Sequence, residues 1–199
     1  MGIAVSKEIR KYSIINGLLL GAILLSLTII SFYLITTVVK SPIGAIAIPY
    51  LFSIILPIPF AIIFCYKLRI GIGLPWNMRI ATSGIFIMLM MAYIVISVGR
   101  DLIFAHMIEP QMHTKIENVL LAATPVALKK SGATEQQIAE KQKQIRDQFA
   151  LQDNVTVWQE IQSQFVAVIF IFVIAVIFGG FFKRPAAGYA TYADNHPVS

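Results

Sequence analysis

The chain is short of charge. Asp, Glu, Lys and Arg make up 13% of its 199 residues, against about 25% in soluble domains. A charge-covered soluble surface is therefore excluded. Cysteine is almost absent. The single residue, Cys65, permits no intramolecular disulfide and no Cys-based metal site. It lies within an apolar run and reads as a small packing residue. Histidine is equally scarce, with three residues in all. Four long stretches hold no Asp, Glu, Lys, Arg or His at all. This removes the intramembrane ionisable groups that mark most ion and proton pathways.

What fills those stretches is aliphatic and aromatic carbon. The runs are Ile14 to Val39, Ile43 to Tyr66, Ile80 to Val98 and Phe165 to Phe182. About 20 apolar residues span a bilayer as a helix, and lipid satisfies no stray backbone group, so helix is their required state. The first run is too long for the apolar region of a cleaved signal, which is about 7–15 residues, and reads as a retained span. Lys40-Ser41-Pro42 makes a tight turn, with Ser41 as N-cap and Pro42 at the first helical position. Pro49, Pro57 and Pro59 should bend the second helix. Leu68 to Met78, with Gly71, Gly73, Pro75 and Trp76, reads as a short loop whose tryptophan anchors at the membrane interface.

The charges that remain are sorted. Lys7, Arg10 and Lys11 precede the first run. Lys67, Arg69 and Arg79 flank the second loop, and Lys183 and Arg184 follow the fourth run. The first hairpin turn holds only Lys40, and the segment between runs three and four is nearly balanced. Loops rich in Lys and Arg stay cytoplasmic. Segments 1–13 and 183–199 are thus expected inside and 99–164 outside, with spans one to three over 14–98 and the fourth over 165–182. The net charge of +6 is a topology signal suited to anionic lipid heads. Basic residues scattered beside helix ends do not point to nucleic acid.

The expected fold class is an all-α membrane protein: four transmembrane helices with a small extracytoplasmic helical cap between helices three and four. Within the cap, Ile116, Val119, Leu120 and Ala123 form a short amphipathic stretch ending near Pro125. Ser131-Gly132 punctuates it. Thr134 to Gln137 then forms a capping box. It opens a helix, to about Ala150, that aligns Ile138, Ile145 and Phe149 on a face offered to a partner. Asp153 or Asn154 would cap a helix running through Trp158 into the fourth span.

This layout, with the stretches IEPQM (Ile108 to Met112) and SGATEQQIAEKQKQI (Ser131 to Ile145), resembles a bacterial family of small four-span membrane proteins catalogued only as a domain of unknown function. The resemblance covers residues from about 10 to 184. It implies an inner-membrane location and brings no activity, cofactor or catalytic residue. In a bacterial protein, the match of Met1 to Ser6 to a myristoylation pattern is coincidental.

Two constellations invite a function. His106, Glu109, His113 and Glu117 would share one face of an unbroken helix, a ligand set for zinc or iron. Glu109 precedes Pro110, however, and is biased out of the helical region. The preferred reading is a helix leaving the bilayer, with Arg100 reaching lipid phosphates. Gly17 and Gly21 form a GxxxG, suited to close packing against span two or four of the same chain in preference to a dimer. The tail after Pro185, with Tyr189 and Tyr192, reads as disordered unless docked. No cofactor is indicated. The expected function is a non-enzymatic accessory or scaffold subunit of a larger membrane complex, touching lipids and a membrane-protein partner or further copies of itself. A homo-oligomeric transporter or channel is the alternative, and an enzyme using His106, Glu109 and His113 comes last.

Overall fold

A computed structural model describes residues 2–38, 41–73, 76–153 and 156–183. Lys40, Pro75, Asn154, Arg184 and the tail with Tyr189 and Tyr192 lie outside the described residues. The chain is all-helical among them: α1 (Gly2–Tyr33), π1 (Leu34–Val38), α2 (Pro42–Tyr50), π2 (Leu51–Ile55), α3 (Pro57–Ile72), α4 (Met78–Ser97), π3 (Val98–Ile108), α5 (Met112–Lys130), α6 (Glu135–Asp153) and α7 (Val157–Phe182). Four stretches are long and apolar enough to cross a membrane: Lys7–Val38, Pro42–Ile72, Met78–Ile108 and Trp158–Phe182. At about 1.5 Å per residue, a 31-residue span such as Met78–Ile108 exceeds the ~30 Å of bilayer hydrocarbon. Such a helix tilts or projects beyond it.

The helices outrun the apolar runs at several ends. α1 starts at Gly2, α3 carries Lys67 and Arg69 to Ile72, and π3 carries Arg100 and Asp101 to Ile108. Charged side chains stop a run of apolar carbon without costing the helix a hydrogen bond. Gly73 does stop α3, at φ 62°, a conformation open to glycine. Asn77 caps α4 by accepting the Ile80 N–H at 2.9 Å. Ser41 holds the N-cap position of α2 with extended backbone and Pro42 follows, but the serine side chain makes no capping bond. Between Pro49 and Pro57 the backbone changes from α to π2, closed by the Leu56 N–H on the Leu51 carbonyl five residues back at 2.9 Å.

The described chain divides into two compact units. The first comprises Met1–Gly21, Phe60–Tyr93 and Phe165–Ser199. Its centre is the α4 stripe Ala81, Gly84, Ile85, Met88 and Ala92, spaced to fall on one helical face and buried throughout. α1 lies against this stripe. Gly17 is pressed onto the Met88 carbonyl and stands where a Cβ would come within 2.7 Å of the Met91 Cβ. The close approach that Gly17 permits is thus made with span three, not with span two or four. Gly21 is buried. The Tyr12 ring covers Gly71 of α3, Thr82 abuts Gly179 of α7, and Phe86 meets Phe172 edge to face with centroids 5.8 Å apart. Trp76, expected at the membrane interface, is a core residue instead, 1% exposed, with the tip of its indole beside Gly84.

The second unit comprises Ala22–Pro59 and Ile94–Gln164. Phe32, Tyr33 and Phe104 stack edge to face, with centroids 5.2, 5.3 and 6.0 Å apart, and Leu25 fills the space above Gly99. α5 packs against α2, π1 and α6. The residues that α2 and α5 bury are small, Ala45 on one and Ala123 and Thr124 on the other, which lets backbones approach closely.

Candidate functional site

The charged stretch that ends span three is built by two helices and a break. π3 finishes with the Glu109 N–H donating to the Phe104 carbonyl at 2.8 Å. Glu109 itself adopts φ −136°, ψ 73°, outside the helical region, as the following proline requires. α5 starts again at Met112. His106 is therefore on π3, while His113 and Glu117 are on α5, so the shared face that an unbroken helix would give does not form. The Glu109 carboxylate meets Lys115 at 2.8 Å, and both His106 and His113 are exposed. Among the described residues, no group of three or more His, Cys, Asp or Glu side chains is gathered as a metal would need.

The helices between spans three and four differ from expectation in three places. α5 does not stop near Pro125; the proline sits inside it. A mid-helix proline leaves the carbonyl four residues back without its N–H, here that of Leu121. Gln142 of α6 supplies the donor, its Nε2 reaching the Leu121 oxygen at 3.3 Å. Second, α6 spends its apolar stripe on the same chain. Ile138 and Ile145 are 4% and 8% exposed and Phe149 is half-buried, because α6 packs onto α5. The face expected to meet a partner is thus covered from within at its two isoleucines. Third, Asp153, expected as a cap of α7, is the last residue of α6, and a threonine further on makes the described cap. It is Thr156, whose N–H donates to Gln159 Oε1 at 3.0 Å while the Gln159 N–H donates to Thr156 Oγ1 at 3.3 Å. The expected box at Thr134 has the same reciprocal bonds, 3.0 and 3.3 Å. Thr-x-x-Gln was readable at both places. The α5 stop is made at Gly132, φ 80°, with the Ala133 N–H on the Leu128 carbonyl at 3.1 Å, a left-handed cap.

Two further features have functional character. π-helix is rare and concentrates at functional positions; in the second unit π2 interrupts span two, and π1 and π3 end spans one and three. Polar side chains on π1 are turned back onto the backbone: Thr36 donates to the Phe32 carbonyl at 2.8 Å and Thr37 to that of Tyr33 at 2.6 Å. In the first unit, Ser13 Oγ, Trp76 Nε1 and Thr82 Oγ1 are buried with no hydrogen-bond partner among the described residues, an uncommon state for polar atoms. The sequence carries no signal for these three beyond their residue types.

The spans are unevenly covered. In the most apolar 18-residue stretch of each, 28% of residues are buried for spans one and three, 11% for span four and 0% for span two. Among the described side chains of α7, only Ala175 and Gly179 are buried, while Phe165, Ile169, Phe170, Val173 and Phe181 stand exposed. Compared with known proteins, the chain matches no family model, no curated relative and no solved structure.

Proposed function

We propose that this multi-spanning helical protein is a non-enzymatic accessory or scaffold subunit of a larger membrane complex in a bacterial inner membrane, as the four-span layout suggests. In this reading both termini face the cytoplasm, in keeping with the Lys and Arg at residues 7, 10, 11, 67, 69, 79 and 183, and α5 and α6 face out. The observation that carries the reading is the bareness of spans two and four, whose most apolar stretches are 0% and 11% buried. A helix that packs so little of itself within its own chain is free to pack on another protein. The contact surface is therefore assigned to α7 and to residues 46–63 of span two, which bury no side chain, and α6 serves to hold α5. Purification from native membranes in a mild detergent tests this. A second protein in fixed ratio is expected, released by shortening α7 side chains such as Phe170→Ala with Val173→Ala while the chain still inserts. A chain that elutes alone as a monomer sinks the proposal.

One observation favours the second reading, a homo-oligomeric carrier or channel. π-helix inside a helix is frequent at functional positions, and π2 lies within span two between Pro49 and Pro57. That reading predicts a homo-oligomer and solute flux into vesicles, lost when Pro57 and Pro59 are replaced by Ala. The accessory reading predicts neither.

A further inference from the structure

Among the described residues, charge divides between the two units. The second unit carries Lys and Arg in near balance with Asp and Glu. The first carries Lys7, Arg10, Lys11, Lys67, Arg69, Arg79 and Lys183 against the single acid Glu8. All of these but the half-buried Arg69 are exposed, and among the described residues none of them is ion-paired with a carboxylate. Lys67 holds its ammonium over the Phe64 ring at 5.3 Å.

The packing contacts bring most of these cations to one end of the unit. Tyr12 of α1 covers Gly71 of α3, and Ile9 and Ser13 flank Gly84 of α4. The ends of α1 and α4 that carry Lys7, Arg10, Lys11 and Arg79 therefore lie side by side, with Arg69 of α3 next to them. Gly179 and Gly180 of α7 meet Thr82 and Met78, which sets Lys183 beside Arg79. Bare apolar side chains adjoin this cluster on the same helices: Ile15, Leu18 and Leu19 on α1, Phe181 on α7. Cations at the end of a membrane-length helix with open hydrocarbon beside them match a molecule that is anionic at its head and apolar in its tails.

We infer that this end of the first unit is a binding surface for anionic phospholipid headgroups, which bridge α1, α4 and α7 while the acyl chains lie along the exposed α1 and α7 faces. The inference does not depend on the subunit reading, because it concerns lipid and not a protein partner. Juxtamembrane cations each add attraction equivalent to about fivefold in affinity for an anionic surface, weakened by salt over a Debye length.

The test uses the full chain, purified in detergent and exchanged into mixtures of phosphatidylglycerol and phosphatidylcholine, with retained lipid counted by native mass spectrometry. Preferential retention of phosphatidylglycerol is expected. Joint Lys7→Gln, Arg10→Gln and Lys11→Gln should reduce that preference roughly a hundredfold at low salt, from the same per-charge figure. Arg79→Gln with Lys183→Gln, on different helices, should reduce it in the same direction. Joint Lys129→Gln, Lys130→Gln and Lys141→Gln in the second unit should leave it unchanged. Equal retention of the two lipids overturns the inference. So does an equal loss from the second-unit variant, displacement by millimolar inorganic phosphate alone, or a co-purifying acidic protein or nucleic acid that the first-unit variants release.

Discussion

The bond between Gln142 and the Leu121 carbonyl should be conditional on Pro125. A neutral amide–carbonyl hydrogen bond contributes about 1 kcal/mol net. At 3.3 Å this one is just past the usual range, which lowers its own strength. Against that, Pro125 removes the intrahelical donor to Leu121, so the loss of Gln142 leaves a partly buried oxygen with no partner in the helix. Unsatisfied groups of that kind cost about 1–3 kcal/mol. The two considerations together place the cost of Gln142→Ala near 1 kcal/mol, roughly a fivefold rise in the opening of α6. Pro125→Ala restores the N–H in α5 and makes Gln142 dispensable, so the second substitution should then cost less than half as much. The assay is tryptic cleavage at Lys141, Lys143 and Arg146, which lie on α6 and are cut when it opens locally. Fragments are identified by mass in the four proteins of the cycle. Cleavage that rises equally with and without Pro125 would refute the reasoning, since Gln142 would then act through packing alone. No rise in the wild-type background would refute it too.

The other predictions follow from single positions. Ile138→Asp should free α6 from α5, raising the same tryptic cleavage well beyond the Gln142→Ala level, because it puts a charge at a 4% exposed site; unchanged cleavage would return Ile138 to a partner-facing role. The glycines should rank by what surrounds them. Gly17→Ala meets backbone of α4 and should cost about 1–3 kcal/mol, Gly99→Ala meets only the movable tip of Leu25 and should cost less, and Gly84→Ala, whose nearest neighbours are at 3.4–3.5 Å, should be tolerated. Thermal unfolding in detergent reads that order, and an equal cost at Gly17 and Gly84 would contradict it. Thr156→Ala should cost about 1 kcal/mol, seen as faster amide exchange confined to the first turn of α7. Ser13→Ala removes a buried hydroxyl without a partner and should leave the unfolding temperature unchanged or raised; a clear fall would mean that the hydroxyl is bonded.

The four spans were legible because hydrocarbon content alone decides them. Their ends were not, since hydropathy and helical hydrogen bonding stop at different residues. Arg100 and Asp101 end an apolar run yet continue the helix as π3, where only Pro110 breaks the backbone. Pro125 read as a stop for the opposite reason. Local chemistry predicts an orphaned Leu121 carbonyl, and the donor that rescues it lies 21 residues away, beyond any local pattern. Trp76 sat where interface anchors sit, and only the tertiary approach of α1 to the bare Gly84 shows that it is enclosed. The π segments leave little trace in sequence apart from Pro49 and Pro57 on either side of π2.

The stripe of α6 carries the sharpest lesson for function. A spacing of seven at Ile138 and Ile145 states that a face is buried, but it names no partner, and here the partner is α5 of the same chain. Once that face is spent internally, the apolar surface left for another protein must lie elsewhere. α4 is packed around its stripe, and α1 lies against α4. The barest of what remains is span two and α7. On α7, Gly179 and Gly180 meet Thr82 and Met78 of α4 and Phe172 meets Phe86, while Phe165, Ile169, Phe170 and Val173 stand exposed. If the protein joins a complex, the exposed residues of α7 are the ones kept for the contact, so truncation of Phe170 and Val173 should weaken association without unseating the helix.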